Sequence, residues 1–110
     1  MGCMRGDLVT VSAPGAYGKP RPALVIQSDI FNAHPSIVVL PLTSDVRENV
    51  STFRVNLEPN QQNQLSKISQ IMVDKPLTLP ADKISDVFGK VDALTMNEVN
   101  RVMAVFLGIA

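Results

Sequence analysis

The stretch Gly18-Lys19-Pro20-Arg21-Pro22-Ala23-Leu24-Val25-Ile26-Gln27-Ser28-Asp29 sets the tightest limit on what this chain can become. Two prolines bracket one arginine. A proline fixes its own φ, lacks an N–H donor and pushes the residue before it toward extended geometry. Lys19 and Arg21 are therefore held extended at the mouth of the apolar run 23–26. That run is apolar on both faces, as expected of a buried central strand. A guanidinium pinned at the entrance of a core strand is a plausible anion site. Arg21 could equally cap a carbonyl or pair with Asp29 or Asp74.

Around this stretch the chain reads as short strands joined by Gly- and Pro-containing loops. Residues 8–12 are β-branched and partly alternating, which predicts a strand. Residues 29–35 predict one helical turn broken at Pro35, and 36–42 a further strand with the polar exit Thr43-Ser44-Asp45. Segment 46–51 is polar and expected to be mobile. In 52–57 the alternation puts Phe53, Val55 and Leu57 inward and Arg54 and Asn56 outward. Residues 58–64 read as a polar loop, 67–75 as a long strand ending at Pro76, 77–80 as an extended link, and 86–91 as a last short strand. The C-terminal segment is helical, with Met96, Val99, Val102, Met103 and Phe106 along one face. Thr95 with Glu98 matches a capping box, Asp92 is an alternative cap one turn earlier, and Gly108 suits a C-terminal stop. One terminal helix on several short strands predicts a small curled antiparallel sheet or barrel.

At 110 residues this is one domain, 1–110. Its size makes oligomerisation helpful, since small domains bury a smaller fraction of their surface. Lys plus Arg and Asp plus Glu balance at ten each. That excludes a generally basic nucleic-acid coat but not a local basic groove. The lone cysteine, Cys3, excludes an internal disulfide framework and a multi-cysteine metal site. No apolar run approaches the length of a membrane span, and the first residues lack a signal-peptide pattern. The default expectation is a soluble, cytoplasmic protein with no membrane partner.

The single histidine, His34, excludes a nuclease that uses two histidines of one chain as acid and base. There is no HExxH, no CxxC, no phosphate-binding Gly-rich loop and no GxSxG elbow, so the zinc hydrolase, P-loop and α/β-hydrolase classes lack their parts. What remains is Arg21, the pair Thr43-Ser44 and the pair Asp74-Lys75. Each has an ordinary structural explanation: a carbonyl cap, turn chemistry and a solvated ion pair. All three lie at or just beyond strand ends, where side chains from neighbouring strands can converge.

Taken in order, Arg5-Gly6-Asp7-Leu8-Val9, Arg21-Pro22-Ala23-Leu24-Val25-Ile26, Ser28-Asp29-Ile30-Phe31-Asn32 and Val39-Leu40-Pro41-Leu42-Thr43-Ser44 resemble the successive signatures of the MazF/PemK toxin family. Ser69-Gln70-Ile71-Met72-Val73-Asp74-Lys75-Pro76-Leu77-Thr78 resembles that family's fifth-strand motif, and Phe106-Leu107-Gly108-Ile109 the end of its terminal helix. The resemblance covers nearly the whole chain and is strongest to the PemK branch. It implies a mainly β fold, an SH3-like barrel of short antiparallel strands with a C-terminal α-helix. It further implies a homodimer whose facing surfaces form an RNA groove, and a type II toxin–antitoxin endoribonuclease that cuts single-stranded RNA without a metal or other cofactor. The partner implied is a cognate PemI/MazE-like antitoxin that lays a disordered tail across the groove.

On this resemblance Arg21 stabilises the phosphorane, a role suited to a planar guanidinium that grips two phosphate oxygens. Thr43 supplies a hydroxyl to the phosphate or to a catalytic group, and Asp74 matches an aspartate proposed as general base. Tyr17, Lys19, Ser44 and Gln70 are the expected RNA contacts, with Tyr17 stacking on an unpaired base. The sequence departs from the family pattern at Met72, where members carry an arginine, and at Gly15-Ala16-Tyr17-Gly18, where they carry a His-Glu pair. The same fold family contains CcdB-like gyrase poisons without nuclease activity. Their gyrase contact uses a C-terminal Trp-Gly-Ile, and this chain has no tryptophan.

Overall fold

Alternation and burial organise the chain into a bent antiparallel sheet with one helix against it. The computed structural model describes residues 2–12 and 19–110. Its strands are β1 (Asp7–Val11), β2 (Arg21–Val25), β3 (Ser36–Thr43), β4 (Arg54–Leu57), β5 (Ser69–Met72), β6 (Leu77–Pro80) and β7 (Ile84–Lys90), followed by α1 (Ala93–Phe106). The strand order is β4-β5-β3-β2-β1-β7, with β6 also paired to β3. The first half of β3 pairs with β6, from Ser36 opposite Pro80 to Val39 opposite Leu77. Its last residues pair with β5, Leu42 opposite Ile71 and Thr43 opposite Gln70. One strand thus serves two lobes of the sheet.

The central strands are apolar on both faces because both faces are covered. Leu8, Leu24 and Leu40 point into one core with Leu42, Val55, Ile71 and the helix residues Val99 and Val102. Val9, Val11, Ala23, Val25 and Val39 point the other way, into a second core with Ile37 and Leu79. The expected barrel is left open: among the described residues no strand pairing joins β4 to β7. The turn after β4 bridges the gap, and the Lys90 N–H donates to the Gln62 carbonyl at 3.1 Å. Asn63 holds this turn from inside. It is 1% exposed, exchanges backbone–side-chain bonds with Asn60 and donates Nδ2 to the Glu58 carbonyl at 2.8 Å. Gly89 meets the turn so closely that a Cβ there would lie 2.5 Å from the Asn63 carbonyl oxygen.

Several expectations are corrected. Residues 77–80 form a strand and not a link, because β3 extends past β5 and needs a partner along its first half. The long strand 67–75 is only Ser69–Met72. Segment 46–51 is tied into a hydrogen-bonded turn, with the Arg54 N–H donating to the Val50 carbonyl at 2.8 Å. The helix is capped by Asp92, whose carboxylate accepts the Thr95 N–H at 2.8 Å, so the alternative cap one turn earlier is the one in place. Phe106, expected on the inner face, is 47% exposed, since the helix overhangs the sheet at its last turn. Gly108 at φ 75° ends the helix with paired 6→1 and 5→2 bonds, Ile109 N to the Ala104 carbonyl and Gly108 N to the Val105 carbonyl. No helix among the described residues is long and apolar enough to cross a membrane.

Candidate functional site

Register brings the first two site residues together. Val11 pairs with Arg21 and Ala23 with Pro41. The β2–β3 register carried two residues further sets Arg21 opposite Thr43. Both line an open cleft of about 480 Å³ at this end of the sheet, along with Ser44, Asp45, Lys67 and Ser69. Arg21 is exposed, as Pro20 and Pro22 leave its side chain at the strand mouth. Thr43 Oγ1 accepts the Asp45 N–H at 3.0 Å, which closes the turn after β3. That bond occupies an oxygen lone pair and leaves the hydroxyl proton unused, so Thr43 can shape the turn and still donate to a ligand.

The cleft favours an anion. Arg21 and Lys67 bring two cations to its walls, and the one carboxylate there, Asp45, is held by Arg47 at 2.7 Å. The hydrogen bond from Arg47 and then its charge hold the Asp45 carboxyl below the usual carboxylate range. Lys67 was missed in sequence reasoning. Its only signal is position: it lies two residues before Ser69, whose pairing with Leu57 starts β5 beside the end of β3. Lys19 is exposed just before β2. Tyr17 lies outside the described residues.

Gln70 and Asp74 do not join this cleft in the expected way. Gln70 is 2% exposed, and its amide is fully used. Its Oε1 accepts the Arg47 N–H at 3.1 Å and Arg54 Nη1 at 2.8 Å; its Nε2 donates to the Arg47 carbonyl and to Asn56 Oδ1, each at 2.9 Å. Gln70 therefore pins the turn after β3 onto β4 and β5, and its amide has no unoccupied hydrogen-bonding position. Arg54, expected outward, is half-buried for the same reason, and Nη1 also donates to the Asp45 carbonyl at 3.2 Å.

Asp74 lies four residues beyond Gln70, on the side of β5 that runs away from Thr43. Its Oδ2 accepts Lys75 Nζ at 3.0 Å, and its Oδ1 is buried without a hydrogen-bond partner. Within one chain it is separated from the Arg21–Thr43 pair. Among the described residues no three His, Cys, Asp or Glu side chains converge as a metal-ligand set.

Comparison with known proteins gives this arrangement a setting. The family model of PemK-like, MazF-like toxins of type II toxin–antitoxin systems matches residues 4–107. A probable endoribonuclease MazF from Mycolicibacterium smegmatis is 40% identical over 107 residues, covering 96% of this chain and 97% of the relative. Among solved structures, a mycobacterial endoribonuclease in complex with its cognate antitoxin superposes with a TM-score of 0.81 at 26% identity, covering 99% of this chain and 98% of that one. MazF in a MazE–MazF complex from Deinococcus radiodurans shares the fold, with a TM-score of 0.81 at 23% identity and complete coverage of both chains.

Proposed function

Because the chain belongs to the PemK-like, MazF-like toxin family of type II toxin–antitoxin systems, we propose that it is the toxin of such a pair. It is an endoribonuclease that cuts single-stranded RNA at short sequence motifs and so inhibits translation and growth. Its partners are a second copy of the same chain and a cognate antitoxin of the PemI/MazE kind, and it acts in the cytoplasm. The observation that carries this reading is the cleft in which Arg21, Thr43 and Lys67 meet at the ends of β2, β3 and the lead-in to β5.

The chemistry assigned to that cleft is transesterification. The RNA 2′-oxygen attacks the adjacent phosphorus, a new O–P bond forms and the bond from phosphorus to the 5′-oxygen breaks. The products are a 2′,3′-cyclic phosphate and a 5′-hydroxyl. One proton leaves the 2′-hydroxyl and one arrives on the departing 5′-oxygen. Negative charge grows on the non-bridging oxygens, and preorganised donors aimed there give the largest rate gain. Arg21 fits that role, with Lys67 as a second cation and Thr43 as a hydroxyl donor. Ser44 and Lys19 extend the contact along the RNA backbone. The reaction proceeds without a metal ion. Asp74 stands apart from these groups in one chain, so phosphate stabilisation at Arg21 and Thr43 is the centre of the proposal.

The test is incubation of the purified protein with a long RNA in the presence of EDTA. Cleavage at short motifs with 5′-hydroxyl ends, lost in Arg21→Ala, is the expected result. Intact RNA with gyrase-dependent DNA breaks overturns the proposal.

A further inference from the structure

A second hollow, of about 430 Å³, lies across the rim from the cleft and differs from it in chemistry. The same two segments build both. Lys67 and Ser69 line the cleft, while Ile68 and Gln70 line the hollow; the turn after β3 gives Thr43 to Asp45 to one side and Val46 onward to the other. The floor is rigid, because Gln70 is buried and spends all four hydrogen-bonding positions on Arg47, Arg54 and Asn56. Val46 and Ile68, 45% and 55% exposed, offer aliphatic surface at the rim.

The polar groups of the hollow select against phosphate. Glu48 and Glu58 line it, and neither carboxylate makes an ion pair or side-chain hydrogen bond among the described residues. Arg47, its only lining cation, is committed to Asp45. Asn56 gives its Oδ1 to Gln70, which leaves the Nδ2 donors. A ligand suited to this set is flat, uncharged and rich in N–H groups on one edge, with an acceptor beside them. Unpaired bases in single-stranded RNA are read on their Watson–Crick edges in this way. Guanine alone places two donors side by side, N1–H and the exocyclic amine, next to a carbonyl oxygen. Two adjacent donors match one carboxylate as an arginine fork does.

We propose that the hollow between the 46–51 turn and the β4–β5 hairpin is a guanine subsite, with the Glu58 carboxylate accepting from the base and Asn56 Nδ2 donating to its carbonyl. The inference rests on the RNA-cleaving reading above: the strand crosses the rim with its phosphate toward Arg21 and a neighbouring base in the hollow.

The test uses uncleavable 2′-O-methyl oligouridylates that carry a single guanine or, in its place, inosine, which lacks the exocyclic amine. Binding is followed by fluorescence anisotropy. Guanine is expected to bind about tenfold to a hundredfold tighter than inosine, the worth of one hydrogen bond to a charged group. Glu58→Gln is expected to bring the ratio close to one. Equal binding of the two, or a preference that survives in Glu58→Gln, overturns the subsite; wild-type cleavage of a long RNA then leaves the nuclease reading standing. A wild-type protein that neither binds nor cuts RNA overturns both.

Discussion

Arg21 carries its guanidinium on the first residue of β2, exposed, while the residues just after it are core. Truncating it removes charge from the cleft without opening a cavity. Arg21→Ala is therefore expected to lower kcat for RNA cleavage by about a hundredfold to a thousandfold, the usual loss for one transition-state donor. Its circular dichroism and Tm should stay at wild-type values. Arg21→Lys should recover only part of the rate, because an ammonium cannot grip two oxygens in one plane. Asp74→Asn, beyond the end of β5 that runs away from Thr43, is expected to change kcat far less than Arg21→Ala in the same assay. Gln70 behaves in the opposite way. Gln70→Leu leaves the Arg47 N–H without its acceptor and Arg54 Nη1 with only the Asp45 carbonyl, at a cost of about 1–3 kcal/mol. Urea unfolding measures that loss, and an unshifted midpoint would sink the structural role assigned here. The sequence exposed Arg21 through its two prolines, and Thr43 through its place at a strand end. It hid the inward turn of Gln70, because a lone glutamine carries no periodic signal and its four partner atoms come from two separate segments, the turn after β3 and β4.

At the scale of elements, capping decides the helix. Asp92 accepts the Thr95 N–H, and that backbone bond holds its carboxyl below the ordinary range. Protons therefore bind this carboxylate more readily in the unfolded chain than in the folded one. The cap's contribution is complete above the ordinary carboxylate value of about 4 and fades as pH falls through the lower folded value. Asp92→Ala is expected to lower Tm by a few degrees at neutral pH, and the gap from wild type should narrow in acid. Thermal scans at both pH values check the sign. At β7, Gly89→Ala would drive a Cβ into the Asn63 carbonyl, which is backbone and must move. The turn that bridges the open barrel should detach, with loss of exchange protection at the Lys90 N–H. The helix, its stop at Gly108 and most strands were legible because period and punctuation are local properties. β6 was not, since Leu77-Thr78-Leu79-Pro80 is too short and proline-flanked to announce a strand without its partner on β3.

For the molecule as a whole, the open barrel divides its labour: two apolar cores hold the shape, and the ends of β2, β3 and β5 carry the polar chemistry. Exposed Ile30, Leu94 and Ile109 remain outside both cores. The proposed homodimer predicts twice the chain's 11.9 kDa in sedimentation, and a monomer at working concentration would remove that part of the proposal. Which strands meet was beyond sequence reading, because long-range pairing depends on the complementarity of distant faces and not on any one segment. β3 matters most in this respect, as the one strand shared by both lobes. Neither lobe can come apart from the other while β3 is in place. Its ladder should therefore open only when the entire molecule does. In native-state hydrogen exchange the amides of Val39 and Leu40 are expected among the slowest, with a protection that reports the global free energy of unfolding. The amides of β4, at the sheet edge, should exchange through smaller openings. Smaller openings at that edge leave β3, and with it the join between the two lobes, in place.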